Sequence, residues 1–116
     1  MFGGEPDGAD DAFRSFQSGT LVPQTNPNTI ADGLLTGLGK LTWPIIRDKV
    51  DAIATCSEEA IIAAMRLIWE RMKLVVEPSG AVPLACILEN KLDIRGRKGA
   101  VILSGGNVDL EKLPWM

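Results

Sequence analysis

Histidine is absent from the chain, and only two of its 116 residues are cysteines. The lack of histidine excludes imidazole-based zinc sites, Ser-His-Asp triads and Cys-His nucleophiles. Cys56 and Cys86 are too few for a disulfide scaffold and lie in apolar surroundings. We therefore interpret both as buried free thiols in a reducing, cytoplasmic compartment.

Basic patches and long apolar runs are also missing. The net charge is −3, which argues against nucleic acid and anionic membranes as partners. Charged residues between Arg66 and Lys73 interrupt the best apolar stretch, so we expect no membrane span, and residues 1–7 do not have the pattern of a signal peptide. A length of 116 residues with 46% hydrophobic content predicts one globular domain, or a part of one.

The ten residues from Val101 to Leu110, after Ala100, change character abruptly. Ala100–Leu103 is continuously apolar and rich in β-branched residues, which predicts a strand buried on both faces, as in a parallel sheet. Ser104, two glycines and Asn107 follow. A hydroxyl, a permissive turn and an amide after a buried strand suit the floor of a ligand pocket. An ordinary strand-to-loop turn is the alternative, and this decapeptide alone favours it.

Acidic residues are concentrated at the start of the chain, before a short amphipathic helix predicted from Asp10 to about Ser18. Carboxylates near a helix start are favoured by the helix dipole alone. The alternative is a hard-cation site for Mg²⁺, Mn²⁺ or Ca²⁺.

Periodicity and capping residues predict four further elements. A short helix follows Thr42, and a strand covers Val50–Thr55. The strongest helix follows an N-cap at Ser57, with a basic end that is either a solvated face or a phosphate site. Another helix begins near Pro78, where Pro83 requires a later start or a kink. The remaining segments are a weak helical patch at 29–35, a charged loop at 90–98 and a loosely ordered tail at 109–116.

The resulting fold class is α/β with an incomplete sheet. Two or three strands are too few for a sheet with a fully buried strand. The chain therefore has the pattern of a piece of a larger α/β domain.

Six stretches, in the same order, resemble the serine racemase and threonine dehydratase group, which uses pyridoxal phosphate (PLP) on fold type II. Trp-Glu-Arg-Met-Lys and Thr-Trp-Pro are closest to the racemase pattern. The stretches are Glu5–Asp11, Thr29–Gly33, Thr42–Asp48, Trp69–Lys73, Glu77–Pro78 and Ser104–Asn107.

The resemblance implies that residues 1–116 are the C-terminal part of the large domain, a three-layer unit with a mostly parallel sheet. It implies a serine racemase with serine/threonine dehydratase (ammonia-lyase) activity, homodimeric at full length, with amino-acid substrates. Ser104 would hydrogen-bond the PLP pyridine nitrogen, beside Gly33 and Glu77. The other implied ligands are Glu5, the Ala9 carbonyl and Asp11 for Mg²⁺, Mn²⁺ or Ca²⁺, and Lys73 and Asn107 for ATP as activator.

No catalytic residue of the group maps onto this chain. Its lysines, at 40, 49, 73, 91, 98 and 112, do not match the lysine that holds PLP covalently, and the glycine-rich phosphate loop is not found. Pro83 also departs from the small residue expected there. We expect the chain alone to be inactive. The alternative is a non-catalytic, truncated paralogue that acts as an interaction module through its open sheet edge.

Overall fold

Two parallel strands form the sheet of the protein. A computed structural model describes all 116 residues. Strand β1 (Phe2–Pro6) pairs with β2 (Ala52–Cys56), in a register that runs from Phe2 opposite Ala52 to Pro6 opposite Cys56. The strand predicted at Val50–Thr55 is confirmed with a shift of one to two residues. β1 was not predicted, because two glycines and an acidic residue give it no strand pattern.

The helices between the strands match the predicted positions. Helix α1 spans Asp11–Ser18 and ends at Gly19, whose φ of 76° closes the helix in the left-handed region. Helix α2 spans Trp43–Lys49, with a proline in its first turn and Trp43 buried. The patch predicted at 29–35 reduces to one 3₁₀ turn, Asp32–Leu34. Glycines explain this weakness.

The longest amphipathic element is α3, Glu58–Leu67. The Ser57 hydroxyl accepts a hydrogen bond from the Ala60 amide at 3.2 Å, which confirms the predicted N-cap. The helix continues as a π turn, Ile68–Met72, and ends at Lys73 with φ 58°.

Helix α4 spans Pro78–Leu88, and Pro83 lies inside it. A later start of the helix is thereby excluded. Pro83 has no N–H to donate to the Ser79 carbonyl, so one helical hydrogen bond is missing. Helices α3 and α4 pack together in the core. The largest fully buried apolar side chains of that core are Ile61, Met65, Ile68, Val76 and Val82.

The two cysteines lie where α4 crosses the sheet. Both side chains are buried and both are free thiols. The neighbouring Cys86 thiol, together with burial, raises the pKa of Cys56, and the neighbouring Cys56 thiol lowers the pKa of Cys86.

The predicted strand at Ala100–Leu103 is wrong in this chain. Those residues have no strand hydrogen bonds, and Val101 and Ile102 are 39% and 78% exposed. A strand buried on both faces needs a neighbour on each side, and the sheet here contains only β1 and β2. No helix combines the length and apolar character needed to cross a membrane.

Candidate functional site

Three segments meet at the N-terminus of α4. The Gly33 amide, in the 3₁₀ turn, donates a hydrogen bond to the Ser79 hydroxyl at 3.1 Å. The Glu77 amide donates to the Gly105 carbonyl at 3.2 Å. Gly33, Glu77 and the segment that follows Leu103 are therefore brought to one place, as the resemblance implies for the PLP residues.

Close backbone packing fixes Ser104 beside α4. A Cβ added to Gly80 would lie 2.7 Å from the Ser104 carbonyl oxygen and 3.1 Å from its nitrogen. Gly105 has φ 81°, and a Cβ there would overlap the Glu77 carboxylate. Two glycines thus allow the loop and the helix to approach to backbone contact.

The polar groups at this junction are free for a ligand. Ser104 is exposed, its hydroxyl makes no hydrogen bond within the chain, and Glu77 is half-buried as the α4 N-cap residue. A cleft of about 340 Å³ lies alongside, with the tail on one wall and α3 behind. Its lining includes Ile30, Asp32, Met65, Pro78, Asn107 and Lys112.

Two buried carboxylates lie together near the start of α1. The Glu5 oxygens accept from the amides of Ala12 at 3.2 Å and Phe13 at 2.8 Å. The Asp11 oxygens accept from the Gln24 amide group at 2.8 Å and the Leu38 amide at 3.3 Å. Burial, with the Asp11 charge nearby, raises the pKa of Glu5 to about 7.

These carboxylates have the donor chemistry of a hard-cation site. Glu5 and Asp11 are 8% and 2% exposed, and Ala9 is 1% exposed. Two buried carboxylates side by side repel one another, and a divalent cation would neutralise both. No group of three or more Cys, Asp or Glu side chains converges to hold a metal ion. The implied set therefore depends on the Ala9 carbonyl as its third protein ligand.

The two implied ATP residues are not joined by a hydrogen bond. The Lys73 ammonium donates to the Glu70 carbonyl at 2.7 Å, at the end of the π turn. Asn107 lies across the α4 N-terminus, where it lines the cleft. Both side chains are exposed, so both can reach a phosphorylated ligand.

Several residues that build the site were missed in the sequence. Ser79 has a hydroxyl group in the first turn of a helix. This is only a weak indication that it could accept a hydrogen bond from the Gly33 amide. Nothing in the sequence distinguishes Gly80 and Gly105 from ordinary turn glycines. Gln24 binds Asp11 across a proline-rich loop, and nothing in the local pattern predicts that contact.

Comparison with known proteins gives consistent matches. The family described as "Pyridoxal-phosphate dependent enzyme" matches residues 1–105. A beta-hydroxyaspartate dehydratase from Paracoccus denitrificans is 50% identical over 96% of this chain and 35% of its own length. A serine racemase from Dictyostelium discoideum is 50% identical over 97% of this chain and 36% of its own length.

Solved structures agree at the level of the fold. Maize serine racemase superposes with a TM-score of 0.88 and 44% identity, covering 95% of this chain and 35% of its own. The class so defined is the α/β fold of fold type II PLP enzymes, of which this chain forms a partial domain with a small parallel sheet.

The chain belongs to the pyridoxal-phosphate-dependent enzyme family. It spans about a third of the length of the curated relatives it matches. The free Ser104 hydroxyl, the half-buried Glu77 and the glycine-lined junction fit one wall of a cofactor site, and PLP is the cofactor of this family.

Proposed function

We propose that this chain is part of a serine racemase with serine/threonine dehydratase activity, and that it supplies one wall of the PLP site. The observation that carries the proposal is the junction of Gly33, Glu77 and Ser104 at the α4 N-terminus. The relatives are named as serine racemases and hydroxyaspartate dehydratases, which supports this reaction class. The full-length enzyme would be a cytoplasmic homodimer acting on amino acids.

Ser104 has the central role in this proposal. When bound, PLP acts as an electron sink for chemistry at the α-carbon of an amino acid. The Ser104 hydroxyl would hydrogen-bond the pyridine nitrogen. Because a hydroxyl is neutral, it does not force that nitrogen to stay protonated, which moderates the electron demand of the ring. Gly33 and Glu77 would lie beside the ring and orient it.

The cofactor proposal is tested with pyridoxine 5′-phosphate, which has no aldehyde and cannot react with surface lysines. We expect amide NMR shifts to change at Gly33, Glu77 and Gly105 during titration of the folded chain. Ser104→Ala should weaken binding by about 3- to 10-fold, the range of one hydrogen bond. Thr25→Ala, which removes another exposed hydroxyl without hydrogen bonds, is the matched control.

Two results would contradict the cofactor proposal. One is a set of shift changes that lies away from the α4 N-terminus. The other is equal weakening of binding by Ser104→Ala and Thr25→Ala.

We further propose that Glu5, the Ala9 carbonyl and Asp11 bind Mg²⁺, Mn²⁺ or Ca²⁺. The support is the pair of buried carboxylates beside a buried carbonyl-bearing turn. Paramagnetic Mn²⁺ should broaden the amide signals of Ala12 and Leu38 at low concentration, and Asp11→Asn should remove that effect. Asp48→Asn, an exposed carboxylate on α2, should leave it unchanged. Broadening confined to exposed acidic residues would overturn the site.

ATP is the third proposed ligand, held by Lys73 and Asn107 as an activator. The exposure of both side chains and the place of Asn107 in the lining of the cleft support the proposal. Lys73→Met should weaken ATP binding about 10-fold by calorimetry, because an ammonium–phosphate pair is lost. Lys40→Met removes another exposed lysine and should have no effect. Loss of binding in both variants would indicate non-specific charge attraction.

The second candidate is an interaction module without catalysis. Exposed apolar residues favour it, with Val101 and Ile102 adjacent in a segment that makes no strand hydrogen bonds. An unpaired apolar segment of this kind is a surface for association. Sedimentation of the chain alone should show concentration-dependent association that Ile102→Ser reduces. A monomer at all concentrations would count against the module.

A further inference from the structure

The proposed function does not involve the two thiols, and their surroundings suggest a role of their own. Cys56 ends β2 and Cys86 lies in the last turns of α4, and both are fully buried. Each sulfur contacts the other residue's element. The Cys56 sulfur lies 3.6 Å from the Glu5 carbonyl oxygen and 3.9 Å from the Val82 carbonyl oxygen, and the Cys86 sulfur lies 3.7 Å from the Ala54 carbonyl oxygen.

A close approach of helix and sheet brings the sulfurs together. A Cβ on Gly4 would lie 3.0 Å from the Cys86 sulfur and 3.5 Å from the Pro83 Cα. Because Gly4 has no Cβ, α4 can lie this near to the sheet without crowding. The Cys56 sulfur lies against the Val82 carbonyl of α4, and the Cys86 sulfur lies against the Ala54 carbonyl of β2, so each thiol already lies beside the element that carries the other.

We propose that Cys56 and Cys86 form a reversible disulfide bond, joining the end of β2 to α4, when the chain reacts with a small-molecule disulfide. The S–H bonds of both cysteines break and one S–S bond forms. The protein gives up two electrons and two protons. The S–S bond of the reagent breaks and accepts them, which yields two reagent thiols. A reducing thiol reverses the exchange.

The bond would restrain the helix that carries the candidate cofactor residues. Glu77 and Gly80 lie at the N-terminus of α4, and the cross-link would fix its other half to β2. It would close a loop of about 30 residues in the unfolded chain, which lowers the entropy gained on unfolding. The oxidised chain should therefore be harder to unfold. Access of the reagent requires a transient opening of α4, which the missing hydrogen bond at Pro83 favours.

The test uses the folded 116-residue chain and oxidised glutathione. We expect a monomer whose mass falls by two hydrogen atoms, and a peptide map that joins Cys56 to Cys86. The thermal midpoint should rise by about 5–10 °C, and dithiothreitol should restore the original value. Cys86→Ala should abolish the intramolecular product.

Three outcomes would overturn the proposal. They are stable glutathione adducts or covalent dimers as the only products, disulfide formation only in denaturing urea, and a thermal midpoint that falls on oxidation. The mass and map of the unsubstituted chain decide the question even if Cys86→Ala does not fold. None of these readouts depends on PLP binding, so the proposed function can fail separately.

Discussion

Gly80 has a hydrogen atom where alanine has a methyl group, and this allows the Ser104 loop to contact α4. Alanine at an ordinary helix position would gain about 1 kcal/mol over glycine. Here the new Cβ would lie 2.7 Å from the Ser104 carbonyl oxygen and 2.8 Å from a Val76 methyl group. Overpacking of this kind costs about 1–3 kcal/mol, so the clash outweighs the propensity.

We therefore expect Gly80→Ala to lower the free energy of unfolding by up to about 2 kcal/mol. Urea denaturation measures the change. Gly99→Ala is the control, because a Cβ there meets nothing within 4 Å and its φ is not in the left-handed region. A Gly80→Ala chain as stable as the Gly99→Ala chain would show that the loop at Ser104 moves away freely.

Glu89 connects the end of α4 to the start of α3. Its carboxylate accepts from the Ser57 hydroxyl at 2.6 Å and from the Ser57 amide at 3.1 Å. The side-chain hydrogen bond, then the backbone one, lowers the pKa of Glu89 below its usual value of 4.5. A carboxyl whose pKa is depressed by folding stabilises the protein above its unfolded pKa, and this contribution disappears as the pH falls through the folded pKa.

Glu89→Gln should consequently lower the thermal midpoint at pH 7 and have less effect as the pH falls below about 4. Thermal melts from pH 7 to pH 3 provide the measurement. Glu59→Gln, an exposed carboxylate in the first turn of α3, serves as the comparison. An equal decrease in midpoint at pH 7 and pH 3 would assign the Glu89 effect to packing instead.

These residues also show where sequence reasoning ends. The Ser57 cap was predicted because capping depends on residues within one turn. Glu89 was not predicted as its partner, because the contact joins residues 32 positions apart. For the same reason the family pattern named Gly33, Glu77 and Ser104, but not the contacts from Ser79, Gly80 and Gly105 that bring them together.

At the scale of elements, the Trp69 side chain fixes the segment that connects α3 to α4. The Trp69 Nε1 donates to the Val76 carbonyl at 2.9 Å, immediately before Glu77. Trp115 packs edge-on against Trp69, with ring centroids 5.5 Å apart and planes at 78°. The tail at 109–116 thus has one aromatic contact with the body, while its predicted looseness stays a prediction.

Trp69→Phe should lower the free energy of unfolding by about 1–2 kcal/mol, because the buried Val76 carbonyl loses its donor. The Glu77 and Gly105 amide NMR shifts should also change. The near-UV circular dichroism of the tryptophan pair should decrease. Trp43→Phe is the control, since the Trp43 indole makes no hydrogen bond and lies in α2, where the backbone bond to Gly39 is kept by phenylalanine. Unchanged Glu77 shifts in Trp69→Phe would refute the positioning effect.

Periodicity predicted the helices better than the strands. Helices α1 to α4 were predicted because their hydrogen bonds are local and their buried faces repeat every three to four residues. The apolar run at Ala100–Leu103 is typical of a strand buried on both faces. Such a strand forms only where adjacent strands pair with it, and a local sequence pattern does not show whether they are present. Strand β1 is the reverse case. Its glycine-rich sequence has little intrinsic preference for a strand, but hydrogen bonds to β2 make it one.

The whole molecule exposes more surface than a compact chain of its size. Its accessible surface is 7477 Å², whereas a monomer of this mass is expected to have about 6,200 Å². Only 21 of 116 residues are buried, and the molecule measures 39 × 37 × 20 Å. The excess surface agrees with a partial domain whose apolar faces lack their covering layer.

The folded chain should therefore bind a hydrophobic fluorescent dye such as anilinonaphthalene sulfonate under native conditions. Ile102→Ser should reduce the fluorescence, because Ile102 and its neighbour Val101 form an exposed apolar segment. Leu41→Ser removes an even more exposed side chain that lies between polar neighbours, and should change little. Absence of dye binding by the native chain would contradict this account of the surface.

The pairing of β1 with β2 also affects how the chain is made. Each residue of β1 pairs with a residue 50 positions later, as Phe2 does with Ala52. At a synthesis rate of about 5–20 residues per second, β1 leaves the ribosome several seconds before its partner strand exists. During that interval the backbone groups of β1 that pair with β2 lack that partner, and its two glycines give it little strand preference of its own. Strand β1 can thus be completed by β2 only after α1 and α2 have been synthesised.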